Sequence, residues 1–498
     1  MNSLDKFIEW VSPEWAAKRS KARALGALFR AQYDMAKRRR GDNGWYVPST
    51  SANAEIASSL VLSRDRARAL VRDNPYGARI VDVWTAHLIG DGITAAWQDR
   101  DGKPDEVRQE TWKRWAEDGE CDADGELDFY GQQQLAARTV IEAGECLIRK
   151  RIRRLSDGLA IPMQTQVLDP DFLDHTKNQV LPNGGLIHLG IQFSPIGRRE
   201  GYWLFRNHPG DNTFAFQRDS YFVPADQIIH LYRKKRPGQV RGVTWLAAVG
   251  NKIRDLGDYH DALIMKAKIE ACVAAFITSP DDNSAVGPSD TASDTASGLV
   301  QEYQTLEPGT ISRLRPGEEV AFSQPSTSDA HDAYTRQFEQ NIAVGAGITY
   351  DQLTGDLSRA NFASLRAGKI EFRRDLSQIQ WQLFIAMMCE PVARSFDELG
   401  QAAGVWRADG AKAMWMPPRN EPIDPVKDTA AEESDMDNLL EPWSATVRKR
   451  GYDPRTLAAA IAADNQLFSE FGLTRVSKNA AAGQSASIDP QEIINATP

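Results

Sequence analysis

Cysteine is scarce in this chain: 4 among 498 residues, at Cys121, Cys146, Cys272 and Cys389. None forms a CxxC pair or stands at ligand spacing from histidine, so the pattern argues against a disulfide frame or zinc site and predicts reduced, buried thiols. Histidine is nearly as sparse, with 7 residues scattered without a metal-binding pattern. No window holds the ~20 uninterrupted apolar residues of a membrane span. The opening MNSLDKFIEW is neither an apolar signal core nor an acid-poor transit peptide. These absences predict a protein of a reducing, aqueous compartment without a membrane partner.

Catalytic signatures are missing too. There is no Walker A loop, GxSxG elbow, HExxH pair or kinase set, so neither an enzyme nor a cofactor is expected. Acidic pairs are many, as in any acidic chain of this length, and they leave a metal-dependent nuclease as an alternative. The net charge of −9 argues against a basic nucleic-acid binder as a whole but permits local basic patches.

What is present reads as α+β, long helices with small antiparallel sheets. Residues 1–60 form a basic arm, with Lys18, Arg19, Lys21, Arg23, Arg30 and Lys37–Arg40. Residues 62–89 read as helical, broken at Asn74–Pro75. Cys121–Gly125 carries part of a calcium-loop spacing without the later ligands, and reads as a turn. After a helix over about 130–143 come strand candidates at Cys146–Ile152, Met163–Leu168, Leu186–Phe193, Gly201–Phe205 and Gln227–Tyr232. A basic contact loop follows at Arg233, Lys234, Lys235 and Arg236. An alanine-faced helix spans 246–277, Ser279–Ser297 is too polar to build a core, and Thr310–Leu314 with Glu319–Phe322 suggests a hairpin. Met414–Pro418 reads as extended linker, and prolines 425 and 454 open helices in the tail.

The most informative stretch is the Gly-, Thr- and Asp-rich loop from Gly347 to Asn361. Before it, Tyr334, Phe338, Ile342 and Ala346 recur every four residues; after it, Leu365, Phe372, Leu376, Ile379 and Leu383 share one helical face. Asn361 can cap the second helix. Running from Phe362 to Glu390 at 1.5 Å per residue, that helix would be roughly 43 Å long. A polar loop held between two long helices is a device for placing that loop.

The chain resembles the portal proteins of lambda-type tailed bacteriophages. The resemblance is carried by Tyr33–Ala36, Ser63–Arg64–Asp65 with Asn74–Pro75–Tyr76, Gly90–Ile93, Trp112 with Cys121–Gly125, Arg236–Val243, and Tyr350–Asp356 with Asn361, Ser364, Arg366 and Ala367. Ile348–Thr349 stands where the family has Val–Pro, Arg233–Lys235 is more basic than is typical, and Ser279–Ser297 matches no family motif. The resemblance implies a homo-oligomeric ring of about twelve subunits at one capsid vertex. It implies a channel for double-stranded DNA without sequence specificity, and a dock for the terminase large subunit and then for head–tail connector proteins. It also implies contact with the major capsid or scaffold protein, in the virion and, during assembly, in the host cytoplasm.

By order along the chain, 61–245 would be the wing, 246–277 and 330–346 the stem helices, 278–329 the clip and 347–361 the tunnel loop. Residues 362–397 would be a long wing or crown helix, 398–477 further wing or crown helices, and 478–498 a disordered tail. The loop residues expected near DNA are Thr349, Tyr350, Asp351, Asp356, Arg359 and Asn361. Arg359 would form a cationic ring, or else pair within the loop; Asp351 and Asp356 would form anionic rings. Lys266 and Lys268 on the first stem helix lie about 200° apart around its axis, so at most one faces a channel. A nuclease or a monomeric adaptor of the same packaging machinery is the alternative reading.

Overall fold

The computed structural model describes residues 49–211, 219–271, 275–278, 319–322, 331–358, 361–419 and 424–472. The chain divides into units 1–54 and 55–498. Of the first, residues 49–54 are described, where helix α1 (Ala52–Asp73) begins. The end of the expected basic arm is therefore helical; residues 1–48 of that arm lie outside the described residues.

In the second unit, α1 stops before Pro75, which cannot continue its hydrogen-bond ladder. Asn74 then caps α2 (Pro75–Ile89): its side-chain oxygen accepts the N–H groups of Tyr76 and Gly77 at 2.9 and 3.4 Å. Helices α3 (Glu106–Glu117) and α4 (Phe129–Ala143) follow, capped by Asp105 and Asp128. Asp122 makes the expected turn, its carboxylate accepting the N–H groups of Glu126 and Leu127 at 2.9 Å. Trp112, Trp115, Phe129 and Phe396 pack edge-to-face and tilted, with centroids 5.0–5.7 Å apart, and all four are buried. Such pairs add about 0.5–1.5 kcal/mol each beyond the area they bury.

Beside this core stands an antiparallel sheet of order β3–β2–β9, made by β2 (Glu145–Ile152), β3 (Met163–Leu168) and β9 (Ile228–Tyr232). A five-stranded meander runs through β4 (Gln179–Val180), β5 (Leu186–His188), β6 (Ile191–Phe193), β7 (Arg199–Phe205) and β8 (Ser220–Pro224). The run Leu186–Phe193, expected as one strand, is instead a tight hairpin. Leu189 and Gly190 take φ of 51° and 82°, the left-handed pair a two-residue turn requires.

Helix α4 meets β2 at Gly144, and the chain crosses itself there. Gly144 has φ 93°, and a Cβ on Gly242 would lie 2.1 Å from the Gly144 carbonyl oxygen. Gly242→Ala is expected to destabilise by about 2 kcal/mol or more through overpacking, read as a lowered urea midpoint at unchanged slope.

Three further expectations need correction. The helix expected over 246–277 is α5 (Gly250–Ala271), preceded by a 3₁₀ turn at Trp245–Ala248, and residues Ala275–Thr278 are strand β10. The β-branched and aromatic residues of AFIT outweigh the helical pattern there. Its partner is β11 (Glu319–Phe322); Thr310–Leu314, the other half of the expected hairpin, lies outside the described residues. Met414–Met416 is not linker but part of β12 (Lys412–Met416), paired antiparallel with β1 (Thr94–Gln98).

The long helix also exceeds its expected span. It runs as α8 (Phe362–Ile379), a π-helical stretch Gln380–Cys389, and α9 (Glu390–Ala402). Pro391 lacks an N–H and crowds the turn before it, and the wider i→i−5 bonding just upstream, where Glu390 N–H reaches the Ile385 carbonyl, accommodates it. The tail carries α10 (Pro425–Asp437), α11 (Trp443–Lys449) and α12 (Pro454–Glu470), with prolines 425 and 454 opening the first and last. Ser279–Ser297 and residues 478–498 lie outside the described residues.

Candidate functional site

The loop after helix α6 (His331–Ala346) is built on α2 from both directions. Gly347 leaves the helix with φ 72°, and its Cα lies so near Trp84 that a Cβ would sit 3.3 Å from the indole ring. The Trp84 indole N–H donates to the Ala346 carbonyl at 2.9 Å. Trp84 itself is wedged between Trp245 and Phe372, with centroids at 5.3 and 5.1 Å. Ile348 and Leu353 are buried beneath a single helical turn, α7 (Tyr350–Thr354), which Gly355 ends at φ 73°. The Gln352 side chain accepts the Thr349 N–H at 3.0 Å, and Arg79 of α2 donates to the Gln352 carbonyl at 2.8 Å. The expected polar loop thus carries one helical turn of 5 residues, with a base held on α2.

Five of the six residues expected near DNA are described. Thr349 starts the turn, half-buried. The Tyr350 hydroxyl donates to Glu339 at 3.2 Å; the other oxygen of Glu339 accepts from Tyr76 at 2.8 Å, and Arg336 lies over the Tyr350 ring at 5.1 Å. Burial first, then Glu339, raises the Tyr350 phenol above its ordinary range, so it stays a donor. Asp351 is half-buried, and its carbonyl accepts the Gly355 N–H at 2.8 Å. The Asp356 carboxylate accepts the Ser358 N–H at 2.9 Å. Asn361 caps α8, its side-chain oxygen accepting the Ser364 N–H at 2.7 Å, so its exposed amide is committed at least in part to the helix. Arg359 lies outside the described residues. Besides Gly347 at its start, the loop thus presents Gly355, Leu357, Ser358 and Asn361 as its exposed described residues, above a buried base.

Lys266 and Lys268 are both exposed on α5. That helix meets α6 through Tyr259, whose ring lies 5.4 Å from Tyr334 and whose hydroxyl is 3.0 Å from His331 Nδ1. The basic loop is braced from within. Buried Gln239 accepts the backbone N–H groups of Lys235 and Arg236 at 2.8 and 3.2 Å. The Arg233 guanidinium lies 5.4 Å over Trp245, and Arg236 pairs with Glu55 at 2.8 Å. Partial desolvation, then Arg233, lowers the Lys235 ammonium below its ordinary value, though the side chain keeps contact with solvent. Lys234 and Lys235 are exposed at the tip. These cations do not converge into one site with the 347–361 loop by any contact among the described residues.

Sequence reasoning missed the centre of the ionic architecture, Glu145. It is fully buried at the start of β2. Arg241 reaches it at 2.5–3.0 Å, Arg64 at 2.8 Å, His230 Nε2 at 3.0 Å and the Gly242 N–H at 2.8 Å. Arg64 also holds Asp171, which with Asp169 is held by Arg68 at 2.5–2.8 Å. Arg64 and Arg241 lie inside two of the blocks that carry the family resemblance, the one signal in the sequence that pointed here. Asp169, Asp171 and His208 lie close enough together to hold a metal ion. The two carboxylates already face arginines, and the imidazole stands 3.7–3.9 Å away, so the group reads as an ion-pair cluster.

Residues 38–380, more than half of the chain, match the sequence profile described as "Phage portal protein, lambda family". The chain is 28% identical over 463 residues to a probable portal protein of Halomonas phage phiHAP-1, covering 89% of this chain and 87% of that one. It is 22% identical over 457 residues to portal protein B of Escherichia phage lambda, covering 83% and 85%. Among solved structures, a chain from the neck of a native gene transfer agent particle, computed with C12 symmetry, aligns with TM-score 0.45 at 13% identity, covering 81% of this chain and all of that one.

Proposed function

Because the chain belongs to the lambda family of phage portal proteins and its function is that of a portal, we propose that its copies close into a ring of about twelve at one capsid vertex and pass double-stranded DNA through the centre. The family match over residues 38–380 carries this reading. The geometry supports a placement within it: the 347–361 loop is a polar projection on a rigid base, suited to stand at the channel wall. Helices α5 and α6 serve as the stem, residues 278–329 as the clip that docks terminase and then the connector, and the C-terminal helices as wing and crown beside capsid or scaffold protein. The virion is its destination and the host cytoplasm the place of assembly.

The mechanism is electrostatic and mechanical. A protein of net charge −9 repels phosphates along a channel, so DNA slides, while a loop side chain repeated around the ring multiplies a weak contact. Asp351 and Asp356 supply anionic rings and Arg359 a cationic one, with at most one of Lys266 and Lys268 facing the lumen. Contact is to phosphates and not bases, so no sequence preference follows.

Native mass spectrometry with negative-stain microscopy tests the ring. The expected result is about a dozen 55.3 kDa chains around a hole that admits a duplex; a monomer that persists at high protein concentration with scaffold present would favour an adaptor. Arg359→Glu is expected to leave the ring's mass unchanged and to lower DNA packaged per head several-fold, by reversing one charge per copy. Unchanged packaging would remove Arg359 from the channel. The nuclease alternative predicts cleavage of plasmid DNA in Mg²⁺ or Mn²⁺; none is expected.

A further inference from the structure

A cleft of about 740 Å³ lies between the outer face of α8 with the start of the π-helical stretch, the end of β12 and Pro417–Pro418, and helices α10 and α11. Six cationic side chains line it, Arg366, Arg373, Arg419, Arg448, Lys449 and Arg450, against two acids, Asp428 and Glu432. That excess is notable in a chain of net charge −9. Both acids are engaged: Asp428 with Arg366 at 3.2 Å, and Glu432 with Arg450. Lys449 pairs with Glu441 at 2.6 Å. Among the described residues no carboxylate stands within ion-pairing distance of Arg419 or Arg448. Trp381 lines the cleft with 49% of its surface exposed, and it stands where the helix changes from α to π winding, a change that often marks a functional site.

We propose that this cleft binds closely spaced phosphates. Guanidinium groups offer paired N–H donors that match phosphate oxygens, and several in one concavity outbid water where a single surface arginine does not. A volume of this size suits a chain of a few phosphates. Two sources share that chemistry, the backbone of DNA lying along the rim and a free polyphosphate within the cleft. The DNA source rests on the portal reading; the cleft chemistry does not.

The test uses the full assembled chain with two probes, a fluorescent 20-base-pair duplex read by anisotropy and inorganic tripolyphosphate read by calorimetry. The double variant Arg419→Glu, Arg448→Glu is compared with Arg419→Ala, Arg448→Ala, each checked for an unchanged melting curve and ring mass. If the source is DNA, duplex affinity falls about tenfold or more and the slope of log K against log salt shrinks by about 2, with tripolyphosphate competing. Loss of tripolyphosphate binding with duplex binding unchanged assigns the site to free polyphosphate. Wild-type and variant chains that bind both probes alike, or bind neither, overturn the proposal, as does binding only of an all-acidic peptide. A ring that forms and packages DNA while its cleft variants behave as wild type loses this site and keeps the portal reading.

Discussion

Glu145→Ala is expected to cost about 3–5 kcal/mol, because it leaves Arg64 and Arg241 buried with their shared counter-charge gone. Arg64 is 2% exposed and Arg241 0%, so water cannot replace the carboxylate. Urea unfolding checks it through a lower midpoint at unchanged slope; a loss under about 1 kcal/mol would show that the site relaxes and hydrates. Glu145→Gln is expected to be nearly as damaging, since an amide keeps the volume and loses the charge.

The same cluster gives a pH dependence of definite sign. Burial alone would raise the Glu145 carboxyl, but Arg241, His230 and Arg64 together hold it well below the ordinary carboxylate range. Its contribution is present above the unfolded carboxyl pKa and is lost as pH falls through the folded one. His230 is pushed down to about 4, first by burial and then by Arg199 and Arg241, against the pull of Glu145. The native imidazole is neutral, donating from Nε2 to Glu145, with Nδ1 3.5 Å from Arg199. Unfolded histidine takes a proton below about 6.5, so between that pH and about 4 the unfolded chain binds more protons and stability falls with acid. The loss from this one residue approaches about 3 kcal/mol at the acid end. His230→Gln is expected to flatten the melting temperature against pH across that window, and an unflattened profile would assign the dependence elsewhere.

The second large effect is expected at Arg108, 1% exposed on α3. It binds Asp105, Asp397 at 2.9 Å and both oxygens of Asp409 at 2.8 Å, donates to the Arg407 carbonyl at 3.0 Å and lies 5.1 Å over Trp406. One guanidinium thus ties α3 to α9 and to the turn that feeds β12. Arg108→Met removes the cation and leaves three carboxylates facing one another, so about 3–5 kcal/mol is expected to be lost. Arg108→Lys recovers only part of it, because an ammonium cannot span the forked geometry. Near-UV circular dichroism of the Trp112–Trp115–Phe396 cluster is the local readout: weakening at low denaturant, before the far-UV signal changes, is expected. A single coincident transition with wild-type midpoint would mean the turn is held by packing alone.

Local chemistry was the legible part. The break at Asn74–Pro75, the Asn361 cap, the strands Met163–Leu168 and Ile228–Tyr232, and the proline starts at 425 and 454 all rest on a residue's preferences within a few positions of itself. What sequence hid depends on distant partners. Met414–Met416 looked like linker because its partner, Thr94–Gln98, lies over three hundred residues away. Glu319–Phe322 also pairs with Ala275–Thr278, about forty residues earlier, a contact that no local pattern announces. The π winding follows from Pro391 and from packing on α2, where the Gln380 amide donates to the Leu88 carbonyl at 2.9 Å; periodicity at 3.6 residues does not contain it. The loop was legible as a loop, but its single helical turn and its anchorage were not. Tyr350, an expected DNA neighbour, turns out to spend its hydroxyl on Glu339.

That anchorage decides what happens under load. A drag on residues 355–358 is passed through one short helical turn to Arg79 and Trp84 on α2, and Trp84 is clamped by aromatic rings on two sides. The loop is therefore rooted on α2 at its entry, while its exit is tied to α8 by the Asn361 cap. In the proposed ring, such loops would divide the friction of a passing polymer among the copies, so that each root would feel only a small share.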